Sequence, residues 1–475
     1  MGRLICISNR IPLGPNPSGG LVVALQDVLE RTGGIWIGSA AETVEEPAET
    51  LTEVEGGPFR RLSFDLSADE KENYYAGHSN SMLWPLFHDR ADLIEIRSEY
   101  YDAYRTVNRR IARLVATILK PDDRIWVHDF HLLPLAHELR ALGAKNPVGF
   151  FLHTPFPTPL GLQAMPYGAE LCHWLMEYDL VGLQAERDVV HAVGGMQLLG
   201  GAELQDDGRM RMGALSTRIA AFPIGIDTDD FARLAATQFD LLPQGIVKPT
   251  RQMMIGVDRL DYSKGLPQRF RAFGTFLERN EEWHRHVSLL QISPPTREGV
   301  KAYDAIRDEL ESLSGRVNGR FADITWQPIR YIHRPIPRDT LAGLYRAAHV
   351  GLVTPLMDGM NLVAKEFVAA QNPDDPGVLI LSRFAGAAEQ MEAALLVNPH
   401  DEQGVSDTIL TALTMPRHER QERWELLMAG VQAQDVHWWS EAFLSALDGA
   451  VEGAVDRATQ AEEPPQEAEA PTGAA

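Results

Sequence analysis

Two basic residues, Arg259 and Lys264, stand five positions apart in Asp258-Arg259-Leu260-Asp261-Tyr262-Ser263-Lys264-Gly265, directly after the apolar run Met253 to Val257. Two cations in a turn that ends a strand can converge on one anion. A leaving diphosphate calls for such a pair, because negative charge builds on its bridging oxygen as the bond to carbon breaks. The competing reading is of surface bases paired with Asp258 and Asp261. Arg10 and Arg297 each follow a different strand-like run, and two guanidiniums aimed at one cleft suit a second phosphate through bidentate contacts. Their bland alternative is an ordinary structural salt bridge.

A second chemical stretch is Asp358-Gly359-Met360-Asn361-Leu362-Val363-Ala364-Lys365-Glu366, which follows the apolar run Val350 to Leu356. Strand, glycine-containing turn and helix start in this order mark the ligand-binding edge of a doubly wound domain. Backbone N–H groups of Leu362 and Val363 lack acceptors at a helix N-terminus and can hold phosphate. Glu366 reaches a sugar diol, and Asp358 faces the occupant of the cleft. Alternatively, Asp358 caps the helix while Lys365 and Glu366 lie on a solvated face. Asp129, after Arg124 to Val127, either accepts from a sugar hydroxyl or caps the segment from Leu132. His128, His131 and His153 lack convincing ligand spacing, so no metal centre is expected among them. No G-x-S-x-G elbow appears, which argues against a Ser–His–Asp hydrolase.

These groups need strands to deliver them. Strand-like runs are read at Arg3 to Ser8, Ile35 to Gly38, Arg124 to Val127, Val148 to Leu152, Asp179 to Leu183 and Ile219 to Ile224. After a pause near Asp240 to Gly245 the pattern restarts with Met253 to Val257, Val287 to Ile292, Ile324 to Ile332, Gly351 to Val353, Val378 to Leu381 and Leu395 to Val397. Helical segments between them, such as Tyr101 to Leu119, Leu132 to Leu142, Glu186 to Leu198 and Leu341 to Ala348, predict parallel sheets with right-handed crossovers. Gly19-Gly20 opens an early helix after a Pro/Gly-rich loop, without the G-x-G-x-x-G spacing of an NAD site. Glu42 to Glu55 reads as an exposed loop, Tyr74 to Pro85 is aromatic without a clear period, and Arg417 to Leu447 is mostly helical.

A chain of 475 residues exceeds one core, so two doubly wound α/β domains facing a cleft are expected. The formal net charge of -22 argues against nonspecific nucleic-acid binding. No apolar run approaches a membrane span, no signal-peptide layout opens the chain, and Cys6 and Cys172 sit in apolar contexts. A cytoplasmic protein with reduced thiols is the expectation.

Ser8-Asn9-Arg10, Gly19-Gly20-Leu21, Leu83-Trp84-Pro85, Trp126 to Pro134, Phe150 to Pro157, Asp258 to Gly265 and Asp358 to Glu366 together closely resemble the trehalose-6-phosphate synthase family. The matches run in order from Arg3 to about Trp439. The resemblance implies the GT-B glycosyltransferase fold: an N-terminal acceptor domain over 1–238, a nucleotide-sugar domain over 239–425, a C-terminal helix over 426–451 returning to the N-terminal domain, and a disordered acidic tail over 452–475. It implies transfer of glucose from UDP-glucose to glucose 6-phosphate with retention, no tightly bound cofactor, and a homodimer or homotetramer.

By resemblance the donor positions are Gly19, Gly20, Arg259, Lys264, Ile336 and Leu362, Val363, Ala364, Lys365 and Glu366. The acceptor positions are Arg10, Tyr75, Trp84, Asp129 and Arg297, while His153 and Asp358 hold the donor glucose. The catalytic set is then Arg259, Lys264, His153 and Asp358. One departure is Ile336, where relatives often place an aromatic residue against the base, so ADP- or GDP-glucose stays open beside UDP-glucose. The alternatives are a glucosylglycerol-phosphate synthase using glycerol 3-phosphate and a catalytically silent regulatory homologue. If Arg259 steadies the leaving diphosphate, Arg259→Ala lowers kcat by about 10²–10³-fold and leaves the KM for glucose 6-phosphate nearly unchanged. Steady-state kinetics checks this, and unchanged turnover would remove Arg259 from that role.

Overall fold

Runs such as Ile125-Trp126-Val127 and Val350-Gly351-Leu352-Val353 are apolar on both faces, which suits strands covered by helices on each side. The computed structural model describes residues 2–12, 20–243, 245–246, 250–296 and 301–462, and such runs form the centres of two sheets. The first sheet contains β1 (Leu4–Arg10), β2 (Ile35–Val44), β3 (Thr52–Val54), β4 (Arg60–Ser67), β5 (Arg124–His128), β6 (Val148–Phe151), β7 (Leu180–Leu183), β8 (Glu203–Leu204), β9 (Arg209–Met212) and β10 (Leu215–Ala221). Their spatial order is β3-β4-β2-β1-β5-β6-β7-β10-β9-β8. Neighbours from β4 to β10 pair in parallel, and β3, β9 and β8 add antiparallel edges.

The second sheet contains β11 (Gln252–Val257), β12 (Val287–Ile292), β13 (Ile329–Ile332), β14 (Val350–Val353), β15 (Val378–Ser382) and β16 (Leu395–Val397). It is wholly parallel, in the order β13-β12-β11-β14-β15-β16. Chain direction across each sheet reverses once in the parallel core, between β1 and β5 and between β11 and β14. Ligands of open α/β sheets bind outside the carboxyl ends at such reversals. The loops emerging there carry Arg10, Asp129, the Asp258–Gly265 turn and Asp358.

Phe443 and Trp439 of the helix Val436–Glu462 are fully buried against the first sheet. Phe443 stacks on Trp126 at 4.7 Å, and Trp439 lies 4.9 Å from the same indole. Glycines in β6 and β7 make the room: a Cβ at Gly149 or at Gly182 would stand 2.7 Å from the Phe443 ring. The terminal helix therefore covers the first sheet although it follows the second in sequence.

Several local readings need correction. The single helix expected over Arg417 to Leu447 is two, Arg417–Ala433 and Val436–Glu462, because Gln434 closes the first and Asp435 caps the next by accepting from Trp438 N at 2.8 Å. The second helix continues to Glu462, past residue 452 where disorder is expected. Extending a packed helix needs no new nucleus, and Ala, Glu and Gln favour it; residues 463–475 lie outside the described residues. Within Glu42 to Glu55, β2 extends to Val44 and the short polar edge strand β3 pairs with β4. The helix expected from Leu132 is broken by Pro134 into a 3₁₀ turn, Phe130–Leu132, and the helix Leu135–Ala141. β13 begins only after Pro328, which has no N–H for the ladder.

Candidate active site

The aromatic stretch without a period is a π-helix, Lys71–Leu83, running into the helical turn Trp84–Phe87. Ser79 Oγ, Asn80 Nδ2 and Ser81 Oγ each donate to the carbonyl five residues back, at 2.7–2.8 Å, which supports this wider winding. The winding presents Tyr75 and Trp84 to different cations. Arg10, at the end of β1, lies 4.8 Å over the Tyr75 ring, which stacks in turn on His131 at 5.7 Å. Arg259, from the loop after β11, lies 5.7 Å over the Trp84 ring. One segment of the first sheet's layer therefore meets a guanidinium from each half.

The turn after β11 is set by a buried arginine. Arg269 donates to Asp258 at 2.5 Å, to Gln291 at 2.9 Å and to Thr354 Oγ1 at 3.0 Å, tying the ends of β11, β12 and β14. Asp261 then accepts from Ser263 N at 2.9 Å and from Tyr303 Oη at 3.1 Å. Gly265, at φ 64°, ends the turn with Lys264 buried. The pairing of Arg259 and Lys264 with Asp258 and Asp261 is not what forms. Lys264 Nζ instead donates to Asp358 Oδ2 at 2.5 Å, across from β11 to the loop after β14.

Asp358 is not the helix cap. Asn361, at φ 83°, holds that position before the helix Leu362–Ala370 and accepts from Ala364 N at 3.3 Å. Its amide also donates to Asp358 Oδ2 at 3.0 Å. The Ala364 N–H is thereby used, while the helical geometry leaves those of Leu362 and Val363 without an intrahelical acceptor. Burial raises the Asp358 carboxyl, but the Lys264 ammonium outweighs it and holds the group below the ordinary carboxylate range. An ammonium, a carboxylate and free N–H donors thus converge at the start of one helix.

The helix continues with Lys365 buried, its Nζ donating to the Ile224 carbonyl beyond β10 at 2.7 Å. It is neither solvated nor exposed, and burial lowers it to about 7. Glu366 is half-buried in a recess with Val23, Asp227 and Arg338; burial raises it to about 7, partly offset by Arg338. Beside it a cleft of about 770 Å³ separates Val23, Gln26 and Asp27 of the helix Gly20–Thr32 from Ile336 and Arg338. Gly20 opens that helix; Gly19 and Arg297 lie outside the described residues.

Facing this cluster is the loop after β6. His153 Nε2 lies 3.2 Å from His128 Nδ1 and its Nδ1 3.4 Å from Gln184 Nε2, while its backbone N donates to Asp129 Oδ1 at 3.3 Å. Burial lowers His153 to about 3, so the imidazole is neutral at physiological pH. Asp129 is no ordinary cap: its φ of 76° is a left-handed value that a residue with a Cβ adopts at a cost. Across the seam, Arg187 donates to the carbonyls of Asp358 at 3.1 Å and Phe384 at 2.9 Å. Glu389 accepts from Glu186 N and Arg187 N at the start of the helix Glu186–Gly195.

Two cation-bearing turns, a helix N-terminus and a buried imidazole around one cleft are suited to moving a group from a diphosphate. A model for glycosyltransferase family 20 matches residues 14–449. The chain belongs to glycosyltransferase family 20. It is 44% identical over 462 residues to trehalose-6-phosphate synthase of Sinorhizobium fredii, covering 94% of this chain and 98% of that one. It is similar in structure, with a TM-score of 0.89 and 42% identity over 94% of this chain and 100% of the other, to an alpha,alpha-trehalose-phosphate synthase (UDP-forming) from Burkholderia xenovorans solved in complex with glucose-6-phosphate. A protein from E. coli bound with UDP-2-fluoro glucose matches with a TM-score of 0.88 and 40% identity, over 94% of this chain and 99% of that one. The two sheets are the facing halves of the GT-B fold.

Asn361, Arg187, Gln184 and Glu389 of this family 20 chain were not singled out in the sequence. Asn361 had a signal, an Asn directly before an apolar helical run. Arg187 and Glu389 act on residues about two hundred positions away and had none. Gly359 packs so closely across the seam that an added Cβ would stand 2.2 Å from the His153 carbonyl oxygen. Gly359→Ala forces the two loops apart and lowers kcat/KM by about 100-fold while the far-ultraviolet circular dichroism is kept. A variant with the wild-type rate would show that the close approach is not needed.

Proposed function

We propose that this chain transfers glucose from UDP-glucose to glucose 6-phosphate, releasing UDP and α,α-trehalose 6-phosphate. The observation that carries the reading is the pair of guanidiniums, Arg10 and Arg259, one from each half, resting on Tyr75 and Trp84 of one segment. One serves the acceptor phosphate and the other the departing diphosphate. In this reading Lys264 and the N–H groups of Leu362 and Val363 take the diphosphate, Glu366 the ribose diol, and Ile336 with Gly19-Gly20 the nucleoside. Lys365 acts through the carbonyl of Ile224, fixing the helix against the other half. Asp129 and Arg297 complete the acceptor pocket, and His153 and Asp358 hold the donor glucose. The acceptor domain is 1–238 and the nucleotide-sugar domain 239–425.

The anomeric configuration is retained without a carboxylate nucleophile. The leaving phosphate oxygen takes the proton of the acceptor hydroxyl on the same face of an oxocarbenium-like centre, while Arg259 and Lys264 spread the developing charge. A neutral His153 donates or accepts a hydrogen bond without adding positive charge beside that centre. No tightly bound cofactor is required by this route. Both substrates are cytoplasmic metabolites, which favours that compartment, and a homodimer or homotetramer is the proposed assembly.

UDP release measured with glucose 6-phosphate, with glycerol 3-phosphate and with no acceptor tests the reading, with ADP- and GDP-glucose as donor controls. Rapid release only with glucose 6-phosphate supports it; release dependent on glycerol 3-phosphate, or none at all, overturns it. The raised Glu366 carboxyl adds a pH prediction. Protonation below about 7 removes a hydrogen-bond acceptor from the ribose. The KM for UDP-glucose therefore rises as pH falls, approaching about tenfold per unit, and levels off above 7. Glu366→Gln flattens that limb; an unchanged profile would detach Glu366 from donor binding.

A further inference from the structure

Away from the cleft, two imidazoles and a carboxylate converge between neighbouring helices of the first sheet's layer. His137 lies in the helix Leu135–Ala141, His173 in the helix Gly168–Met176, and Glu177 is the C-cap of that second helix. His173 and Glu177 are four residues apart, so one face carries both. His137 Nδ1 stands 3.4 Å and His173 Nε2 3.5 Å from the same oxygen, Glu177 Oε1. The potential ligand atoms of all three residues lie within 4.8 Å of one another.

These separations are long for charge-assisted hydrogen bonds, which run about 2.7–2.9 Å. They fit the edge of a coordination tetrahedron, since two ligand atoms each about 2.0–2.1 Å from zinc stand about 3.3–3.4 Å apart. The imidazole rings meet edge to face, at 70° with centroids 5.8 Å apart, so their nitrogens converge without the rings stacking. Side chains of His137 and His173 are 33% and 43% exposed and that of Glu177 15%, which leaves an approach from solvent.

We propose that His137, His173 and Glu177 form a site for a divalent transition metal, with zinc the fitting ion and water in the fourth position. Two imidazoles and one carboxylate are donors of the right softness. His137 would bind through Nδ1 and keep its proton on Nε2, and His173 the reverse. The ion clamps two helices that belong to successive strand–helix units. Glu177 stands three residues before β7, at the edge of the sheet opposite the strand ends that carry the cleft, so the clamp bears on stability and not on glucosyl transfer. Asp27, Asp227 and His437 form a second trio, but Asp27 and Asp227 line the wall of the donor cleft and belong to that site.

The test is zinc titration of the full chain by calorimetry with thermal unfolding alongside, repeated with cobalt(II) for its visible spectrum. The wild-type chain is expected to take up the ion with a rise in Tm and, with cobalt, to show the intense bands of tetrahedral coordination. His137→Ala/His173→Ala and, separately, Glu177→Gln weaken that uptake at least about tenfold and lose the Tm rise, with metal-free UDP release unchanged. Uptake, spectrum and Tm rise that persist in the double variant would overturn the proposal, as would no uptake by the wild-type chain.

Discussion

The Lys264–Asp358 ion pair is the contact around which the cleft is arranged. Its side chains are only 10% and 13% exposed, so neither charge is well hydrated. A buried pair of this kind is a weak source of stability, since desolvation offsets most of the attraction, but removing one partner costs about 3–5 kcal/mol. What the pair accomplishes is position. It fixes an ammonium beside the N-terminus of the helix Leu362–Ala370, where the peptide dipoles already favour an anion. On the proposed reading, a diphosphate arriving there takes Lys264 over from Asp358, which Asn361 still holds. The charge is thus kept ready without a water shell to strip away.

The contacts near the pair hold the two sheets in register at their carboxyl ends. Arg269 ties three strand ends of the second sheet, Arg187 reaches over from the first half to the Asp358 carbonyl, and Lys365 returns the contact at Ile224. Gly359 allows the loops to touch. Asp129 and Asn361 both carry positive φ, one on each side of the cleft, so the backbone is strained on both of its walls. Packing elsewhere, above all Phe443 and Trp439 on the first sheet, offsets that strain.

The parallel strands were legible because doubly buried strands read as continuous apolar runs, and the chemical residues were legible because they end those runs. That Lys264 and Asp358 follow neighbouring strands is readable from position alone, and the two meet in the structure. The pairing of the bases in the turn after β11 is not, since Asp258 and Asp261 look nearest in sequence while Arg269 and Ser263 compete for them in space. The π-helix has no signal in the sequence because its i→i+5 winding matches neither the α-helical nor the strand period. Edge strands β3, β8 and β9 are too short and polar to signal themselves, and Lys365 read as solvated because charge on a helix usually is. His137 and His173 carry no motif spacing; only the packing of two helices brings them together.

The most direct measurement is a crystal structure of the chain with UDP and glucose 6-phosphate bound together. Lys264 Nζ should leave Asp358 for a diphosphate oxygen lying over the Leu362 and Val363 N–H groups, with Arg10 on the acceptor phosphate. A structure that keeps Lys264 on Asp358 and seats the diphosphate away from that helix would contradict the central role given to this pair.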